Sequence, residues 1–203
     1  MKITDDIIKA LKPCADRYEN FTNNYPTYSG WAADFLSLEN IDYDDKVWVM
    51  SRLMTKAQNL SWAVSCAYSV LPIFEKEFPD DTRPRELLKY MSSLKDCDNV
   101  SREDLNILVE LRKSADAASC ACRNTASMAA ALAAVHAAEY IILKREINIA
   151  CSSYHVVAAY ANAACVVDAY DAGYAHEFNS ANKAQQDLNL KLLLEVLCKS
   201  HTI

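Results

Sequence analysis

Glycine is almost missing: Gly30 and Gly173 are the only two in 203 residues. A turn that binds phosphate or a dinucleotide needs several glycines where the backbone approaches its ligand or takes positive φ. Neither G-x-G-x-x-G nor G-x-x-x-x-G-K-[ST] can be assembled here, which removes most nucleotide-dependent enzymes. Proline stops at Pro84, so no proline interrupts a helix in the C-terminal half. Basic charge is short as well: 21 Lys and Arg stand against 27 Asp and Glu, a net charge of −6. Nucleic acid and anionic membrane both reward clustered cations, so neither is expected as the main partner, and a basic protein fits better. The longest apolar run, 129–138, is mostly alanine, contains His136 and ends at Glu139, short of the roughly 20 apolar residues of a membrane span. The opening MKITDDIIKALK has early acids and lacks the apolar stretch of a secretory signal, so a cytoplasmic protein is expected.

What is present is alanine, dense from Ala115 to Ala172, within a chain that is 52% hydrophobic and 24% charged, the balance of an ordinary folded protein. Alanine is the best helix former, and its small side chain lets helix axes approach more closely than leucine allows. Ala129, Ala130, Ala133, Ala134, Ala137 and Ala138 mark one close-packed helix; Ala158, Ala159, Ala161, Ala163 and Ala164 mark another, expected antiparallel to it. Each buried methyl contributes only about 0.8 kcal/mol. A large helix-on-helix surface is therefore required, one that a second subunit of a homo-oligomer could share. The eight cysteines are dispersed among helical segments, and most of them read as reduced core residues; Cys120 and Cys122, two apart, do not share a helix face.

Helical signals run along the chain. Thr4 caps a short helix at 5–11, with Asp5 and Asp6 set favourably against its dipole. Asn, Pro, Ser and Gly crowd 20–30, which reads as a loop, and a second short helix follows at 31–38. Asp42 caps a helix carrying Val47, Met50, Leu53 and Met54. From Thr55 onward, Leu60, Ala63, Val64, Ala67, Val70, Leu71, Phe74 and Phe78 keep a three-four rhythm that demands a buried face. Pro72 inside this series predicts a bend or a break. Asp81 or Thr82 caps the next helix, with Pro84 in its first turn and Leu87, Leu88 and Met91 inward. The stretch 95–100 is a connection, and Ser101 with Asp104 forms a capping-box pattern. Beyond it, about 70 helical residues in one rod would be unusual without heptads. Turns are therefore expected near 113–116, 144–148 and Gly173, giving helices of 102–113, 116–145, 148–172 and 174–199.

Few residues suggest chemistry. His136 and Glu139 lie one turn apart, and with His155 and His176 they could form a metal or acid–base cluster, but the order is not the Glu-before-His repeat of carboxylate-bridged metals. Trp62 and Cys66 share the best-defined helix, yet no activating base lies near Cys66 in sequence. No catalytic residue, metal site or cofactor is assigned. The partner-binding candidates are an acidic stretch with interleaved aromatics, Asp34, Glu39, Asp42, Tyr43, Asp44 and Asp45 beside Trp31 and Trp48, together with Arg83 and Arg85 at a helix start. Such a surface suits docking against a basic site through aromatic anchors in a charged rim.

One segment is more specific. Trp62-x3-Cys66-Ala67-x2-Val70-Leu71-Pro72-Ile73-Phe74-Glu75, followed by Phe78-Pro79-Asp80-Asp81-x-Arg83-Pro84-Arg85, resembles the alanine-rich immunity proteins found beside polymorphic toxins in bacteria. The likeness runs through the alanine region to Gln185, Gln186 and a leucine-rich end, roughly 48–197. The N-terminal part, with LKPCADRYENF, looks more like uncharacterised bacteriophage proteins, and the alanine half holds fewer Ala and more Tyr, Ile and Asn than the bacterial members.

The expected fold is a single all-α domain, 1–203, whose N-terminal half (1–95) packs on an Ala-rich helical half (101–203). The resemblance implies a non-enzymatic protein that neutralises a toxin or, if phage-borne, a host defence component. The alternative is an oligomeric small-ligand binder with a pocket of His136, His155, Tyr154 and Asn162; a metal-dependent bundle enzyme is the third reading.

Overall fold

A computed structural model of the chain describes residues 1–94, 97, 99–143, 154, 156, 157 and 174–199, with the backbone alone for 174–178. Among the described residues, nine helices and one two-stranded ribbon make up the regular structure, so the class is all-α. The chain divides into two compact units, Met1–Thr55 and Lys56–Ile203. That division lies upstream of the polar connection at 95–100.

In the N-terminal unit, β1 (Lys2–Thr4) leads into α1 (Asp5–Ala10), followed by α2 (Ala15–Asn24), β2 (Ser29–Trp31), α3 (Ala32–Ser37) and α4 (Tyr43–Leu53). The cap at Thr4 is as expected: its hydroxyl accepts from the Ile7 amide at 3.3 Å. The loop expected at 20–30 is half helix. Thr22 donates to the Tyr18 carbonyl and Asn24 to the Asn20 carbonyl, so these polar side chains bond back onto the helix instead of breaking it. Ser29–Trp31 then pairs antiparallel with Lys2–Thr4, Ile3 opposite Gly30, a pairing no local pattern announces. Phe21, Tyr28 and Phe35 form the aromatic core, with ring centroids 5.7 Å apart for Phe21–Tyr28 and 6.4 Å for Phe21–Phe35. Tyr28 closes over Gly30, where an added Cβ would stand 2.3 Å from the phenol oxygen. Lys12, just past the end of α1, turns the chain at φ 57°.

The second unit contains α5 (Lys56–Glu77), α6 (Arg83–Ser93), α7 (Arg102–Ala121), α8 (Thr125–Leu143) and α9 (Tyr174–Lys199). Pro72 lies within α5 and does not break it. Val70, Leu71 and Phe74 around it are buried, and their packing outweighs the roughly 3 kcal/mol that an interior proline costs. The turn expected at 113–116 is also absent. Lys113 pairs with Glu110 and Arg112 with Asp116 along an unbroken α7, so the polar run is the wet face of a helix whose other side buries Ala115 and Ala118. The chain turns instead at 122–124, where Asn124 accepts the Ala126 amide at 2.7 Å, a use of Asn that favours turns.

Helix α8 is apolar on every side, and such a helix belongs in an interior. By length and composition it could cross a membrane, but most of it is buried, packed on α5, α6 and α7. Ala131, Ala133, Ala137 and Ala138 are wholly covered. The Ser127 hydroxyl donates to the Ile73 carbonyl of α5 at 3.4 Å. The expected antiparallel partner helix around Ala158–Ala164 and the turn at 144–148 lie outside the described residues. The last helix matches its expected span, 174–199. It is tied to α5 by Trp62, fully buried, whose indole N–H donates to the Asn189 carbonyl at 2.8 Å, and by Gln185, which donates to Ser69.

Enlarging a covered alanine leaves nowhere for the extra atoms. Ala137→Leu is expected to destabilise the protein by about 1–3 kcal/mol in urea unfolding, whereas Met128→Leu on the exposed side of α8 should change stability by less than about 0.5 kcal/mol.

Candidate functional site

The acidic stretch expected to meet a partner lies wholly in the N-terminal unit, at the start of α3 and around the α3–α4 connection, and the structure sorts its residues by what they already hold. Asp34 accepts the Trp31 amide at 2.8 Å and so caps α3. Asp42 is the residue before α4, but its side chain makes no cap; it takes Arg17 at 2.6 Å instead, and Asp45 takes the same guanidinium at 3.1 Å. Burial raises the pKa of Asp45, with Arg17 opposing the rise. Tyr43 is half-buried on the first turn of α4, while Glu39 and Asp44 are exposed. Neither of these two carboxylates has a side-chain partner among the described residues. Trp31 stands 63% exposed, unlike Trp62 in the core.

Arg83 and Arg85 belong to the other unit, and the structure does not bring them together with the acidic stretch. Arg83 binds Asp81 through two nitrogens at 2.8 and 2.6 Å, and Arg85 binds both oxygens of Glu75, linking α6 to α5. Both guanidinium groups are thus occupied within the fold. Asp81 also accepts the Arg83 amide at 3.2 Å, so it caps α6, whereas Thr82 makes no cap through its side chain.

The chemical candidates are likewise placed. His136 meets Glu139 at 3.0 Å, and Glu139 meets Arg112 of α7 at 3.1 Å, a half-buried link between α7 and α8. Among the described residues no group of three or more His, Cys, Asp or Glu could hold a metal ion; His155 and the side chain of His176 lie outside them. Of the expected ligand pocket, Tyr154 is 65% exposed, and Asn162 is outside the described residues. Cys66 is fully buried, and burial pushes its thiol well above its ordinary pKa, against any nucleophilic role. Cys122, half-buried, is pushed up to about 11, chiefly by burial.

One feature escaped the sequence. A cavity of about 370 Å³ opens in the N-terminal unit, lined by residues of α1, α2, α3 and α4 and of the connections between them. Its lining residues are widely separated in sequence, so no motif shows it. The available signal was Trp48 and Arg52, four apart on α4, a spacing that puts both on one face. The Arg52 guanidinium carbon lies 4.0 Å from the centroid of the Trp48 ring, a cation–π contact.

The Imm-5 like putative immunity protein family model matches residues 51–184, more than half of the chain. The chain belongs to that family. No curated protein and no solved structure matches it. The Imm-5 like match begins in the last turn of α4 and runs through the second unit into α9. It takes in Arg83 and Arg85; the acidic stretch and most of the cavity wall precede it.

The caps of this Imm-5 like unit make it acid-sensitive. Hydrogen bonds from Arg83 hold the Asp81 carboxyl below its ordinary value, and hydrogen bonds from Ser101 and then Tyr90 do the same for Asp104. Lowered folded pKa values stabilise the fold above the unfolded aspartate value of about 4, and that stability is lost as pH falls through the lower folded values. Thermal midpoints measured from about pH 5 downward should therefore fall, and Asp81→Asn should flatten the slope while lowering the midpoint at neutral pH.

Proposed function

We propose that the protein is a cytoplasmic, non-enzymatic binder that neutralises a partner protein by covering its surface. The partner is a toxin in the immunity sense or, for a phage-borne copy, a component of a host defence system. Family membership supports the coarser half of this reading. The finer half rests on one observation: an acidic stretch that holds a tryptophan 63% exposed and two exposed carboxylates, Glu39 and Asp44, with no side-chain partner among the described residues. An exposed indole can anchor in a partner's pocket and account for much of the binding energy. The carboxylates of the same stretch favour a basic partner and speed its approach. Arg83 and Arg85, already occupied by Asp81 and Glu75, are poorly suited to bind a partner, so the acidic stretch is the better surface.

Affinity capture from the native cell background at low and high salt, read by mass spectrometry, tests the proposal. A basic protein should be recovered in stoichiometric amount at low salt and lost at high salt. Trp31→Ala should weaken its binding by about 30-fold or more, the scale of a hot-spot residue, and the double variant Glu39→Gln, Asp44→Asn should slow association and flatten the salt dependence. Wild-type binding by all these variants would rule out the surface; recovery of no protein partner would rule out neutralisation.

A further inference from the structure

The cavity in the N-terminal unit has a chemical preference of its own. Phe21, Phe35, Ile41 and Val49 give it apolar walls, all four buried. The charged residues that line it are Lys12, Arg17 and Arg52 against one carboxylate, Asp45, a local positive excess in a chain of net charge −6. Arg17 is already shared by Asp42 and Asp45. Lys12 and Arg52 have no carboxylate partner among the described residues; Arg52 lies over the Trp48 ring and donates to the Trp48 carbonyl at 3.1 Å. Lys12 sits at φ 57°, a conformation that glycine adopts without strain and a lysine does not.

We propose that this cavity binds a small organic anion with an apolar body, of the arylalkanoic or branched aliphatic carboxylate class. The body would rest against Phe21, Phe35 and Ile41, and the carboxylate would be held by Lys12 and Arg52. The volume of about 370 Å³ lies within the range of small-molecule sites, roughly 300–1,000 Å³. A cation would meet only Asp45, which Arg17 already neutralises. A neutral molecule would fill the walls but leave both cations without a counter-charge. The site shares Asp45 and Trp48 with the acidic stretch, but its test uses no protein partner and turns on Lys12 and Arg52, so either proposal can fail alone.

Chemical-shift titration of the full-length, nitrogen-15-labelled chain with 3-phenylpropionate, 3-phenylpropan-1-ol and 3-phenylpropylamine tests it. The acid should bind about 10-fold or more tightly than the alcohol, the scale of a charge-assisted contact, with shifts at 12–18 and 41–52, and the amine should not bind. Lys12→Ala combined with Arg52→Gln should bring the acid to the alcohol's affinity. Cys14→Trp, which enlarges an exposed residue of the cavity wall, should remove binding of both while resonances of 56–143 stay in place. Absence of binding, equal affinity for acid and alcohol, or shifts confined to the second unit would overturn the proposal.

Discussion

Helix α8 is apolar enough that neighbouring helices must cover most of it in water, and this requirement organises the second unit. Its alanines give up surface area per residue but let neighbouring backbones come close, so α5, α6 and α7 all reach it. Polar groups along these contacts are few and satisfied: Ser127 bonds to the Ile73 carbonyl, and Glu139 to Arg112 and His136. Around this centre, paired charges fix the helix ends. Arg85 joins α6 to α5 through Glu75, Arg83 and Asp81 close the turn before α6, and the Tyr90 hydroxyl donates to Asp104 at the start of α7.

The N-terminal unit is built differently. Its core is a small aromatic cluster around Phe21, its surface carries an exposed indole and carboxylates with no side-chain partner among the described residues, and a cavity opens among its helices. The family match covers the second unit from its start to residue 184 and leaves nearly all of the first outside. We read the first unit as the part that determines what this protein binds, carried by a chain whose family-defining portion is an alanine-packed scaffold. Fold class alone does not determine that partner.

Much of the fold was legible from local rules. Thr4, Ser101 and the rhythm from Leu60 to Phe74 located helices because capping and periodicity act within a few residues. The errors came where tertiary contacts outweighed local preference. Pro72 is held inside α5 by buried neighbours, Lys113 and Asp116 lie on the wet face of an unbroken α7, and Thr22 and Asn24 bond back onto α2. The ribbon between Lys2–Thr4 and Ser29–Trp31 depends on residues far apart in sequence, as does the cavity. Of the site, the acidic stretch was visible as composition. Which of its carboxylates are spent, on Arg17 or on a helix cap, could be known only once Arg17 and the Trp31 amide were placed in space.

Hydrogen–deuterium exchange of the full chain, free and bound to its captured partner, tests the division of roles most directly. If the first unit carries recognition, new protection should concentrate at 31–45, while α5 to α8 exchange as they do in the free protein. Protection centred on the 78–85 turn, with 31–45 unchanged, would contradict the account and place recognition on the family scaffold.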